Sequence, residues 1–281
     1  MLGVGSTIGA GIYVMTGTAA ANYAGPSILL SFIVAGLACL FTALSYGELA
    51  SAMPVSGSAY TYAYVSMGEG WAWAVGWLLL LEYGISCAGV AAGFSGYAVS
   101  FLQDFGVHVP KSLSSTTLQV MFQGAERHVQ TAWQCDAVGA FSILIVTVLL
   151  IFGVKESLRI NTAIVFLKVG VLVVFVALGV WAIHPAYWTP FIPHYEGGFR
   201  YGLPGIFRAA SIIFFAYVGF EAVSTASSEA KNPRRDIPLG IVLSLIICTF
   251  VYMIVAAVLI GVVPWQTLDV ADPLAVAVNA M

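Results

Sequence analysis

Apolar residues run in long blocks separated by short polar punctuation, without the spacing of a half-wetted helix. A segment that crosses a bilayer needs about 20 mostly apolar residues. By that rule the chain predicts seven spans: residues 3–22, 27–46, 71–102, 137–154, 162–183, 204–227 and 237–263. Gly25-Pro26 marks the turn between spans 1 and 2. Residues 51–70 carry Pro54, Gly57, Gly68 and three tyrosines, which is too polar for a span and predicts a short interfacial connector. Residues 103–136 and 184–201 predict outer loops, the first of them long.

Inside span 1 lies a glycine-rich run, Gly3, Gly5, Ser6, Thr7, Ile8, Gly9, Ala10, Gly11 and Ile12. Each glycine weakens a helix by about 1 kcal/mol relative to alanine. In hydrocarbon, broken backbone survives only where protein buries it or it lines a cavity. The run therefore reads as a backbone-lined site. Its freed N–H groups suit a carboxylate, and its carbonyls suit an ammonium. Close helix packing through small residues explains the same glycines. Span 6 holds a second candidate break, at Phe214, Phe215, Ala216, Tyr217, Val218, Gly219, Phe220 and Glu221. The alternative there is a stripe of packed rings with Glu221 facing one membrane end. Breaks at matching positions of two repeats are the pattern of secondary transporters.

Composition widens the membrane reading to the whole chain. Of its 281 residues, 60% are hydrophobic and 8% are charged, against roughly 25% charged in soluble domains. Mean hydropathy is +0.95. A net charge of −3 with no basic run gives nucleic acid no footprint. His108, His128, His184 and His194 lack metal-ligand spacing, and no phosphate-binding loop, dinucleotide fingerprint or nucleophile elbow occurs. No cofactor, metal or enzymatic chemistry is expected. Lys155 and Arg159 after span 4, and Lys231, Arg234 and Arg235 after span 6, put the short basic connectors on one side, which is expected to be cytoplasmic. Trp71 and Trp73 read as interfacial belt residues.

Ionisable residues within spans are functional candidates. Lys168 lies seven residues past Asn161, about 10 Å deep at 1.5 Å per residue. A lysine shielded from water exchanges its proton nearer neutral pH, while snorkelling of the long stem is the plainer reading. Glu82 in span 3 fits a relay, a gate contact or a structural pair. Arg208 reads as an anchor at the outer end of span 6.

Taken together, five pieces in order resemble the amino acid–polyamine–organocation transporter superfamily, and within it the cationic amino acid transporter branch. They are Gly5-Ser6-Thr7-Ile8-Gly9-Ala10-Gly11-Ile12; Tyr46-Gly47-Glu48-Leu49-Ala50 with Pro54, Gly57 and Tyr60; Leu81-Glu82-Tyr83; Phe215-Ala216-Tyr217-Val218-Gly219-Phe220-Glu221; and Glu229-Ala230-Lys231-Asn232-Pro233 with Ile237-Pro238. The resemblance implies an all-α membrane protein with an inverted five-helix repeat, here incomplete at about seven helices, with helices 1 and 6 broken. A single transmembrane domain, residues 1–281, would hold the first repeat in 1–183 and the start of the second in 204–281. The resemblance also implies substrate binding by Thr7, Ile8, Gly9, Ala10 and Gly11, with the substrate ammonium held near Phe215, Ala216 and Val218. Lys168 would couple a proton, and Glu82 and Glu221 are gate or side-chain contacts. The expected function is secondary active, proton-coupled or facilitative transport of amino acids, cationic ones favoured, across a plasma membrane by alternating access. Span 1 opens at the first residues and the chain stops at Met281 in the approach to another apolar run, so a fragment is expected. A truncated, non-transporting membrane subunit is the other reading.

Overall fold

In a computed structural model, residues 2–115, 118–123, 126–131, 134–151, 158–227, 230 and 232–281 are described. Lys155, Glu229 and Lys231, and the side chains of Arg127, His128 and Arg159, fall outside that description. Five helical stretches are long and apolar enough to cross a membrane: Gly11–Ala52, Glu69–Asp104, Thr162–Ala182, Gly202–Thr225 and Pro233–Val262. The first holds 42 residues, about 63 Å at 1.5 Å per residue, twice the depth of the hydrocarbon. It contains two crossings. Gly3 lies against Ser244 and Gly47 against Pro238, while Gly25, between them, lies against Pro193 and Trp265 at the opposite end. The chain therefore goes out as span 1 and returns as span 2, Ile28–Ala52. Ala137–Ile151, 15 residues, is a shorter apolar helix in the place of predicted span 4, and the protein is an integral multi-pass membrane protein.

Hydrocarbon offers backbone groups no water, so these apolar segments close their hydrogen bonds internally as helices. Association between them then rests on packing and interhelical bonds, because lipid is as apolar as leucine. Span 2 buries Ile28, Ser31, Phe32, Ala35, Cys39, Ala43, Gly47 and Ala50, one face at helical spacing. That face meets span 7, Pro233–Val262. A methyl on Gly36 would lie 3.2 Å from Thr249, and one on Gly47 3.2 Å from Pro238, so the two backbones approach closely along their lengths. The first half of span 6, Gly202–Ile213, buries Gly205, Ile206, Ala209, Ala210 and Ile213 on one face. Ser31 of span 2 donates to the Ile206 carbonyl at 3.0 Å.

Span 3, Glu69–Asp104, is different: 6% of its most apolar stretch is buried, against 56% in span 7. Its contacts with span 1 are made where Gly93 meets Val14 and where Tyr97 donates to the Tyr13 carbonyl at 2.6 Å. Span 4 starts at Asp136, whose Oδ1 accepts the Gly139 N–H at 2.8 Å and the Ser95 hydroxyl of span 3 at 2.6 Å. The connector between spans 2 and 3 is a helix, Ser58–Met67. Tyr60, Tyr64 and Met67 of this helix are exposed, as are Trp71 and Trp73 at the start of span 3. Span 7 begins earlier than predicted. Arg234 and Arg235 stand in its first turn, and Asp236 accepts the Asn232 N–H at 3.1 Å, one carboxylate bond back to the residue that opens the helix. The loop predicted at 103–136 carries an antiparallel hairpin, Leu118–Gln123 with Glu126–Thr131.

Candidate functional site

Both candidate breaks are present. The helix Leu2–Thr7 ends in a bend at residues 8 and 9, and helical backbone resumes as a wide π-turn, Gly11–Met15. In span 6 the helix tightens to a 3-10 turn at Phe214–Tyr217, Val218 is extended with ψ 133°, Gly219 takes φ +111°, and the helix resumes at Ala222–Thr225.

The two breaks are seated on one another. A Cβ on Gly11 would overlap the Cα of Ala216, and one on Gly219 would lie 2.6 Å from the Ser6 carbonyl oxygen. Ser6 Oγ donates to the Gly219 carbonyl at 2.7 Å, with the Leu2 and Gly3 carbonyls as longer alternatives. Tyr252 of span 7 reaches both breaks: its hydroxyl lies 2.7 Å from the Thr7 carbonyl and 3.1 Å from the Ala216 carbonyl. Lys168 Nζ of span 5, Leu158–Gly179, lies 3.2 Å from both the Gly5 and the Ile8 carbonyls. Side chains from spans 5 and 7 thus satisfy the carbonyls that the first break frees.

Among the described residues, the Gly9 N–H donates to no acceptor and the Val218 carbonyl accepts from no donor. A Cβ built on Gly9 would meet nothing within 4 Å. One break therefore keeps a donor free beside open space, and the other keeps an acceptor. Both residues are half-buried, so one free donor and one free acceptor are left open to a ligand or to water.

The predicted residues fall as follows. Thr7, Ile8, Gly9, Ala10 and Gly11 line the first break, with Thr7 and Ile8 buried. Phe215, Ala216 and Val218 line the second. The Phe215 carbonyl accepts the Val218 N–H at 3.2 Å, and its ring reaches to within 3.8 Å of where a Gly89 methyl would stand on span 3. Glu221 is buried, and its Oε2 accepts the Gly219 N–H at 2.8 Å. Tyr83 of span 3 donates to Glu221 Oε1 at 3.4 Å. Glu82 sits half-buried beside Tyr83. Arg208 is exposed, with its guanidinium 5.8 Å from the centre of the Tyr23 ring. Sequence reasoning did not find Tyr252. The signal for it is a phenol in the middle of an uncharged apolar span, which must bond to something.

A cavity of about 890 Å³ lies elsewhere, between spans 3 and 5, lined by Tyr13, Tyr97, Phe101, Phe166, Val171 and Leu274 among others. It shares no residue with the two breaks and offers little polar surface to a zwitterion.

A family profile described as amino acid permease matches residues 1–281. The chain is similar to a methylthioribose transporter of Bacillus subtilis, 42% identical over 99% of this chain and 57% of that protein. It is similar to the branched-chain amino acid permease BcaP of the same organism, 44% identical over 94% of this chain and 54% of that protein. Cationic amino acid transporter 4, vacuolar, of Arabidopsis thaliana is 38% identical over 98% of this chain and 44% of its own length. The chain spans about half the length of these curated relatives.

Proposed function

Because the chain belongs to the amino acid permease family, we propose that it carries amino acids across a membrane, held between the two breaks. The observation that carries this reading is the unpartnered Gly9 N–H beside open space, together with the unpartnered Val218 carbonyl of the facing break. A free amino acid is a zwitterion: its carboxylate takes the N–H groups around 8–11 and its ammonium takes the carbonyls around Phe215, Ala216 and Val218. The domain reading is the same: residues 1–183 as a first five-helix repeat and 204–281 as the start of a second.

Proton coupling is assigned to Lys168. As an ammonium it has three donors, two of them directed at the Gly5 and Ile8 carbonyls. Loss of the proton weakens both bonds, because charge-assisted hydrogen bonds are roughly twice as strong as neutral ones. That frees the inner half of span 1 to move. Glu82 is the carboxylate available to a cationic side chain, since Glu221 already accepts the Gly219 N–H. A plasma membrane is the proposed location. The relatives, which include vacuolar, mitochondrial and chloroplastic transporters, support the family rather than one compartment.

The test is uptake of radiolabelled lysine, arginine, leucine and isoleucine into proteoliposomes, with and without an acid-outside pH gradient. We expect saturable uptake of at least one, stimulated by external acid in the wild type and unresponsive to it in Lys168→Ala. Pure facilitation leaves the gradient without effect on the wild type, which removes the coupling role. Absence of uptake for the whole panel turns the reading to a membrane chain that does not itself transport.

A further inference from the structure

We propose that Tyr252 is a positioning residue for substrate binding, setting the spacing between the two breaks by sharing one hydroxyl hydrogen between the Thr7 and Ala216 carbonyls. This rests on the transport reading above. A phenol carries a single hydrogen, yet two carbonyl oxygens lie within bonding distance, Thr7 at 2.7 Å and Ala216 at 3.1 Å. They come from spans 1 and 6, on either side of the site, and Ala216 is the residue on which Gly11 rests. No other side chain among the described residues bonds the backbone of both breaks from a third helix. The ring is fully buried and held between Phe32 of span 2 and Tyr217, with centroids 5.8 Å and 5.6 Å away. Its hydroxyl therefore cannot follow the carbonyls if they separate.

The arrangement is also responsive. The Ala216 bond is the longer of the two, so a substrate ammonium that takes the Ala216 oxygen releases the tyrosine hydrogen fully to Thr7. Binding then strengthens the tie to span 1 instead of leaving a carbonyl bare. Without the hydroxyl, both oxygens are left in a dry site, where an unpaired polar group is costly, and the breaks relax away from the spacing the substrate needs.

The decisive comparison is Tyr252→Phe against Tyr201→Phe in proteoliposomes, with KM and the maximal rate per reconstituted molecule measured for whichever amino acid the wild type takes up. Tyr201 makes a bond of the same kind, donating to the Ala21 carbonyl at 2.8 Å, at the outer end of span 1. Tyr252→Phe keeps the ring and its packing, and melting in detergent verifies that it folds. We expect its KM to rise about fivefold, the size of one buried neutral hydrogen bond. Its maximal rate should change less than about twofold, while Tyr201→Phe leaves KM unchanged. A KM for Tyr252→Phe within the error of the wild type, or an equal rise in both variants, overturns the inference while leaving transport intact. A wild type that takes up nothing overturns the transport reading and this inference with it. A drop in melting temperature with unchanged KM assigns Tyr252 to stability alone and likewise overturns it.

Discussion

Gly219 is constrained both by its own backbone and by its neighbour. Its φ of +111° is one that a side chain rarely adopts. The Ser6 carbonyl stands where a methyl would go, its own carbonyl takes the Ser6 hydroxyl, and its N–H is taken by Glu221. Gly219→Ala must either clash with span 1 or rotate the break, a strain of roughly 1–3 kcal/mol at such a position. Uptake by Gly219→Ala is expected to fall at least about fivefold, since about 1.4 kcal/mol is tenfold, with the protein still present in the membrane. Quantitative immunodetection beside radiolabel uptake separates these outcomes, and near-normal uptake would show that the break tolerates a side chain.

At the scale of elements, the start of span 4 depends on one carboxylate. Asp136 accepts the Gly139 N–H in the manner of a helix N-cap and also ties Ser95 of span 3 to that end. Asp136→Ala is expected to lower stability by about 1 kcal/mol, measured by unfolding in mixed micelles, and the effect should vanish if Ser95 and Gly139 find water instead. This cap also shows where sequence stops being informative. Spans are legible because a bilayer leaves apolar segments only the helix. The breaks are legible because glycine and a ring cluster interrupt that helix at matching positions. The clasp between them is not. Ser6 and Gly219 are 213 residues apart, Ile8 and Lys168 160, and Thr7 and Tyr252 245, so no local pattern pairs them. Lys168 drew notice because a charge in lipid demands a reason. Tyr252, neutral and aromatic, lies within an apolar run, and only the folded chain brings the Thr7 and Ala216 carbonyls to its hydroxyl.

For the whole molecule, the crossings place Gly25, Tyr201 and Trp265 at one membrane face and Gly47 and Pro238 at the other. Glu196 is exposed near the first face and Arg235 near the second. With the exposed Cys87 and Cys135 replaced by serine, a membrane-impermeant thiol reagent applied outside should label Glu196→Cys and spare Arg235→Cys, and permeabilisation should expose the latter. Labelling of Arg235→Cys with Glu196→Cys spared would invert the assigned orientation, and labelling of both from outside would abolish it. The close seating of span 2 on span 7 has its own mechanical outcome. With so little clearance at Gly36 and Gly47, sliding of one helix along the other is resisted, and a displacement of span 2 is passed directly to span 7.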